Sequence, residues 1–153
     1  MDFLILKDQE SIHSTIMKFR QDLFNQNLTD DELLLLSKKF ASYAFFIVAI
    51  NEEKHDLGYT AIYCNDLQTK EAFISMIVVG GERRRSGVGK GLFKQAQGIA
   101  LENGMEAIKL KVDCRNQNAI GFYEKLGFVR TDCDAGMYVY EKKLQSKGDR
   151  PNE

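Results

Sequence analysis

The chain is built around the stretch Val79-Gly80-Gly81-Glu82-Arg83-Arg84-Arg85-Ser86-Gly87-Val88-Gly89-Lys90-Gly91. The apolar residues 73–79 lead into it as a predicted strand, and the residues after it, to Asn103-Gly104, have the apolar spacing of an amphipathic helix. The start of a helix presents unpaired N–H groups and the positive end of a dipole. Glycines let a ligand approach the backbone, and three consecutive arginines add positive charge. The stretch therefore predicts an anion-binding loop.

Three loop patterns bind anionic cofactors in this way, and the residues distinguish them. A P-loop is excluded because Arg84 stands where its first glycine is needed and Gly91 replaces its hydroxyl residue. The dinucleotide fingerprint has Leu92 in place of its last glycine, which weakens that interpretation. It stays open, since Asp113 ends the next apolar run and could bind a ribose. The pattern [QR]-x-x-G-x-[GA] is satisfied at every position of residues 84–89.

This last pattern resembles the acetyl-CoA loop of the GNAT superfamily of N-acetyltransferases. A second segment, residues 116–128, reads NQNAIGFYEKLGF and looks like the family's N-x-x-A-x-x-x-Y-x-x-x-G-F signature. The two segments occur in the family's order and at a similar spacing, and together they extend over residues 72–130. The resemblance implies acetyl-CoA as co-substrate, bound in a gap where the strands before and after the loop helix diverge.

The resemblance also assigns roles to individual residues. The cofactor-binding residues that it implies are Ile77, Val78, Val79, Arg84, Arg85, Ser86, Gly87, Val88, Gly89, Lys90, Asn116, Ala119 and Tyr123. The first three offer backbone groups to the pantetheine amides, and one N–H polarises the thioester carbonyl. A Cβ at Gly87 or Gly89 is expected to stand between the backbone and the pyrophosphate. Asn116 hydrogen-bonds the cofactor arm, or else caps the next helix, a role for which Asn118 competes.

Two side chains are the candidates for acid–base chemistry. Tyr123 is expected to donate a hydrogen bond or a proton to the departing thiolate, whose parent thiol has a pKa of about 8.5. The alternative is a packing role, because Tyr123 shares a helical face with apolar residues. Glu71 is the candidate general base for the attacking amine. Some family members carry a carboxylate where this chain has Lys111, and a proline is frequent where it has Gly80-Gly81.

Composition limits the other functional classes. The chain has 153 residues, 44% hydrophobic and 28% charged, with a net charge of −1, which predicts neither nucleic-acid nor membrane binding. The N-terminus lacks the basic and apolar regions of a signal peptide. Cys64, Cys114 and Cys133 are odd in number and lack paired spacing, so they predict reduced thiols in a cytoplasmic protein, with no disulfide and no metal.

The pattern of apolar residues predicts an α+β fold in the order β-α-α-β-β-β-α-β-α-β-β, which is also the order that the resemblance implies. A single GNAT-like domain, residues 1–144, is expected to have a central mixed, mostly antiparallel sheet of about seven strands flanked by four helices, with residues 145–153 as a polar tail. The predicted strands are 2–7, 43–50, 57–64, 71–79, 107–113, 128–132 and 137–144. The predicted helices are 8–24, 29–41, 88–104 and 118–126. Residues 29–32 have the pattern of a capping box, and residues 107–113 alternate between apolar and charged side chains.

These predictions give a function. The chain is expected to transfer an acetyl group from acetyl-CoA to a primary amine, by direct attack in a ternary complex. The acceptor is a small molecule or a protein, and the sequence leaves open whether two copies form a homodimer. The alternative is an acyl-CoA-binding sensor or scaffold without turnover, and a dinucleotide-binding fragment is a weaker third.

Overall fold

A computed structural model of the chain describes residues 1–84 and 86–145. One seven-stranded sheet has the order β1-β2-β3-β4-β5-β7-β6. Its strands are β1 (Asp2–Leu6), β2 (Ala44–Ile50), β3 (Asp56–Tyr63), β4 (Glu71–Val79), β5 (Ala107–Asp113), β6 (Val129–Asp134) and β7 (Met137–Lys143). The helices are α1 (Gln9–Lys18), α2 (Asp30–Tyr43), α3 (Val88–Glu102) and α4 (Gln117–Lys125), with 3-10 turns at Arg20–Asp22 and Gly81–Arg83. The predicted fold class and element order are confirmed; residues 146–153 of the predicted tail lie outside the described residues.

The strand pairing is antiparallel except between β4 and β5, which are parallel. Helix α3 supplies the crossover between these two strands, as βαβ units require. The pairing of β4 with β5 covers only Glu71 to Phe73, opposite Ala107 to Lys109. Beyond Phe73 the two strands diverge, so the sheet opens toward the carboxyl ends of both.

A β-bulge lies where the opening begins. Ala61 of β3 pairs with Met76 and Ile62 pairs with Ile74, so Ser75 is an extra residue in β4. A bulge re-aims the side chains that follow it. Accordingly Ile74 belongs to the core under α3 and α4, whereas Met76 packs on the opposite face with the core under α1 and α2.

Two apolar layers hold the helices on the sheet. On one face, α3 buries Leu92, Ala96 and Ala100 completely, at 0% exposure. On the other face, Phe40 of α2 is also fully buried, and its ring lies 5.9 Å from that of Phe46 in β2. Burial of a leucine or phenylalanine side chain stabilises the fold by about 1.5–3 kcal/mol. This packing fixes the helix positions on both sides of the sheet opening.

Most predicted boundaries differ from the structure by one or two residues, and the ends of α1 and α2 show why. Helix α1 ends at Lys18, before the predicted end at residue 24, because the chain enters the 3-10 turn at Arg20–Asp22. Phe19 and Leu23 are buried and continue the helical spacing, which explains the longer prediction. Helix α2 begins with the predicted capping box of Thr29 and Glu32 but extends to Tyr43, which was predicted to start β2.

Candidate active site

The opening between β4 and β5 contains the first group of predicted cofactor residues. Ile77, Val78 and Val79 lie in the part of β4 that pairs with β3 but not with β5. On the side facing β5, alternate backbone N–H and C=O groups of such a strand have no ladder partner. This edge can therefore pair with an extended, amide-containing ligand.

The loop after β4 ends in a helix start without a capping side chain. Gly87 is the N-cap of α3 and makes no side-chain cap hydrogen bond, and its carbonyl accepts the N–H of Gly91 at 2.9 Å. The N–H groups of Val88, Gly89 and Lys90 are the first-turn donors that have no partner within a helix. Together with the helix dipole they make this end of α3 suitable for an anion.

The two glycines of the loop pattern have different structural roles. Gly87 has φ +90°, a left-handed conformation that glycine adopts without steric cost, and a Cβ there would meet nothing within 4 Å. At Gly89 an added Cβ would lie 3.2 Å from the ring of Phe122 and 3.6 Å from Val79. The expectation that a Cβ at Gly89 would stand between backbone and phosphate stays a prediction. In the structure, the lack of a Cβ at Gly89 lets α3 approach Phe122 of α4.

The remaining loop residues differ in exposure. Arg84 and Lys90 are exposed, and Val88 is buried at 3%, so only its backbone faces the loop. The Ser86 hydroxyl donates a hydrogen bond to the carbonyl of Arg83. Arg85 lies outside the described residues. The described loop thus offers cationic side chains around the start of α3.

Tyr123 lies on α4 with its ring in the core. The residue is 7% exposed, and its ring packs edge-to-face against Phe122 and Phe128, at centroid distances of 5.3 and 5.6 Å. Its hydroxyl has no hydrogen-bond partner among the described residues. Every fully buried side-chain oxygen or nitrogen of those residues has a partner, so the Tyr123 oxygen is at least partly accessible to solvent. Burial raises the pKa of the Tyr123 hydroxyl. The phenol therefore stays protonated at neutral pH and can donate.

The sequence left the cap of α4 open between Asn116 and Asn118. In the structure the cap is Asn116. Its side-chain oxygen accepts the N–H of Ala119 at 3.2 Å, and the helix begins at Gln117, one residue before the predicted start. This cap uses only the acceptor of the amide, so the NH₂ group of Asn116 keeps its two donors. Capping the helix and donating to a ligand are therefore compatible.

Glu71 lies at the paired end of β4, where the opening closes. Its carboxylate is 3.0 Å from the ammonium of Lys109, which is also 3.9 Å from Glu141. Because side chains alternate along a strand, Glu71 points away from Ala72, which is in the core under α3 and α4. Tyr123 packs in that core, so Glu71 and Tyr123 lie on opposite faces of the sheet.

Sequence reasoning missed one contact to the loop. The side chain of Asp22, in the turn after α1, accepts the N–H of Gly81 at 2.9 Å. These residues are 59 positions apart, and no local pattern signals such a contact.

Among residues 1–84 and 86–145, no group of three or more His, Cys, Asp and Glu side chains is arranged to bind a metal ion. No helix within those ranges combines the length and the apolar character of a membrane span.

Comparison with protein families places the chain among known proteins. The Acetyltransferase (GNAT) family model matches residues 10–128, most of the described chain. A mycothiol acetyltransferase of Paenarthrobacter aurescens is 34% identical over 96 residues, which are 61% of this chain and 29% of that protein. N-alpha-acetyltransferase 30 of Homo sapiens is 35% identical over 74 residues, 46% of this chain and 20% of that protein. The chain thus spans less than a third of the length of either relative.

Solved structures share the fold over nearly the whole chain. PaiA N-acetyltransferase of Thermoplasma acidophilum, in complex with coenzyme A, has a TM-score of 0.75 and 19% identity and covers 94% of this chain and 100% of that chain. Ard1 of Thermoplasma volcanium has a TM-score of 0.74 and 23% identity and covers 95% of this chain and 100% of that chain. At these identities the likeness shows the fold alone.

Proposed function

The chain belongs to the acetyltransferase (GNAT) family, and we propose that it transfers the acetyl group of acetyl-CoA to a primary amine by direct attack in a ternary complex. One observation carries the proposal. The sheet opens between β4 and β5 beside the uncapped start of α3, and Tyr123 near by has a hydroxyl without a partner among the described residues. This combination offers partners for a pantetheine arm, a pyrophosphate and a departing thiolate.

The residues present suit acetyl-CoA. The backbone of residues 77–79 offers groups to the pantetheine amides, and the first-turn N–H groups of α3 offer donors to the pyrophosphate. Arg84 and Lys90 add positive charge, and the Asn116 amide keeps donors for the cofactor arm. PaiA N-acetyltransferase, which shares this fold, was solved with coenzyme A. Its complex supports the same ligand class for this chain.

The reaction needs one bond to form and one to break. The lone pair of the amine attacks the thioester carbonyl carbon, and a backbone N–H of β4 stabilises the charge that develops on the carbonyl oxygen. As the C–N bond is completed the C–S bond breaks, and the electron pair leaves with sulfur. Tyr123 donates its hydroxyl hydrogen toward that thiolate, and the product is an amide with free CoA.

The attacking amine must also lose a proton, and we assign this step to Glu71, directly or through water. Glu71→Gln should reduce the rate most at low pH, where an amine with a pKa of about 10.4 is almost entirely protonated. The matched control is Glu141→Gln, which removes the other carboxylate beside Lys109. The measurement is the pH–rate profile of each variant. An unchanged profile for Glu71→Gln assigns proton removal to water or to another group.

The rival function is an acyl-CoA-binding sensor or scaffold without turnover. A panel of a small amine, an amino sugar, an aminoglycoside and a peptide with a free α-amine separates the two. We expect at least one amine to release free CoA thiol from acetyl-CoA and to appear as its acetylated product. Tight acetyl-CoA binding without product from any amine class would favour the sensor.

A cytoplasmic location, and the lack of nucleic-acid, membrane and metal partners, stay predictions from the sequence.

A further inference from the structure

The segment between α1 and α2 is joined to the cofactor loop by one carboxylate. Oδ1 of Asp22 accepts the backbone N–H of Gly81 at 2.9 Å and lies 3.7 Å from the guanidinium of Arg84. The Asp22 side chain is only 21% exposed. A hydrogen bond to a carboxylate is stronger than one between neutral groups, and limited exposure reduces its competition with water. The first turn of the loop is therefore held by a residue, Asp22, that lies outside the loop.

Packing beside the carboxylate also holds the α1–α2 connection against the start of the cofactor loop. The N–H of Asp22 donates to the carbonyl of Phe19 at 2.9 Å, which fixes the turn that carries the carboxylate. The Phe19 ring lies so close to Gly80 that a Cβ there would be 3.2 Å away. The N–H of Gly80 in turn donates to the carbonyl of Leu57 at 3.0 Å. The loop start thus contacts the α1–α2 connection through both apolar and charged groups.

The hydrogen bond to Asp22 requires a residue other than proline at position 81, because it uses the backbone N–H. The family that the chain resembles frequently has a proline where this chain has Gly80-Gly81, and a proline has no backbone N–H. Gly81 is the first residue of the 3-10 turn Gly81–Arg83, a position where proline is tolerated. Gly80 has φ −57° and ψ 140°, which is compatible with a following proline. The backbone conformation would thus allow a proline at position 81, and the contact with Asp22 would be lost with it.

We propose that Asp22 is a positioning residue for the cofactor loop, an inference that rests on the proposed binding of acetyl-CoA. Its carboxylate fixes Gly81 and holds the guanidinium of Arg84 beside the loop that leads to the start of α3. The contact also makes the α1–α2 connection part of the support of the cofactor site. Asp22 acts through Gly81 and Arg84 and does not touch the reacting atoms.

Two variants remove the same hydrogen bond from its two ends. Asp22→Ala removes the acceptor, and Gly81→Pro removes the donor. Each should weaken CoA binding about tenfold, because ordering the loop that this bond no longer holds then costs part of the binding free energy. Pantetheine, which lacks the pyrophosphate, should bind both variants as it binds the wild type. Calorimetric titration of the purified chain with CoA and with pantetheine measures both effects.

Three further variants separate positioning from general destabilisation. Asp22→Asn keeps an oxygen acceptor for Gly81 and should recover most of the CoA affinity. Asp30→Ala removes an acid that pairs with Arg20 at the start of α2 and should leave CoA affinity unchanged. In the double variant Asp22→Ala/Gly81→Pro, the second change should add little, because both single changes remove one interaction.

The outcomes distinguish this inference from the proposed function. Wild-type-like CoA binding by Asp22→Ala, equal weakening of CoA and pantetheine, or additive effects in the double variant would each overturn the positioning role while the proposed function stands. A folded wild-type chain that does not bind CoA would overturn both.

Discussion

Replacing Tyr123 by phenylalanine should reduce turnover by about 10²- to 10⁴-fold, the usual contribution of a general acid, while folding and acetyl-CoA affinity survive. The structure makes this substitution unusually informative. The Tyr123 ring is packed against Phe122 and Phe128, and phenylalanine keeps that ring. The hydroxyl has no partner among the described residues, so its removal leaves no orphaned group. A large loss of turnover without a loss of stability would therefore show that the Tyr123 hydroxyl takes part in the chemical step.

Tyr140 provides the matched control for this experiment. It is 1% exposed, and its hydroxyl donates to the Glu124 carboxylate at 2.9 Å. Tyr140→Phe should lower the free energy of unfolding by about 1 kcal/mol and leave turnover nearly unchanged. An activated thioester, whose thiolate departs more easily without a proton, should partly rescue Tyr123→Phe. Near-normal turnover in a stable Tyr123→Phe protein would remove Tyr123 from the mechanism.

Local patterns explain why much of the fold could be predicted. The capping box at Thr29 and the alternation along β5 are signals confined to a few neighbouring residues, and both are confirmed. The glycine-and-arginine loop marks the change from strand to helix by residue type alone. One crossover helix between two strands then implies the parallel pair β4–β5, which the sheet contains.

Features that depend on distant residues were not predictable. The bulge at Ser75 is defined by its pairing with β3, and no glycine or proline marks it within β4. Gly89 was interpreted from its own loop, and its contact with Phe122 of α4 gives a further reason for glycine at this position. Asp22 contacts Gly81 across 59 positions. Each of these contacts exists only once the chain has folded.

The largest effect on binding is expected at Gly87, because its backbone sets the direction in which α3 starts. Valine is β-branched and strongly disfavours the φ of +90° found there, with a strain of about 1–3 kcal/mol unless the loop changes conformation. A strained residue 87 and a changed loop conformation would each displace the first-turn N–H groups of α3. Gly98→Val is the matched control, since it adds the same side chain to the same helix at a position where a Cβ meets nothing within 4 Å.

Thermal unfolding with and without acetyl-CoA tests the central claim, that this loop and sheet opening form an acetyl-CoA site. A ligand at about a thousandfold its dissociation constant stabilises the folded state by about 4 kcal/mol. For a domain of this size the melting temperature should rise by about 10 °C. We predict this rise for the wild type and for Gly98→Val, and a much smaller one for a folded Gly87→Val. A wild-type chain that is unaffected by acetyl-CoA but stabilised by NAD or ATP would contradict the claim.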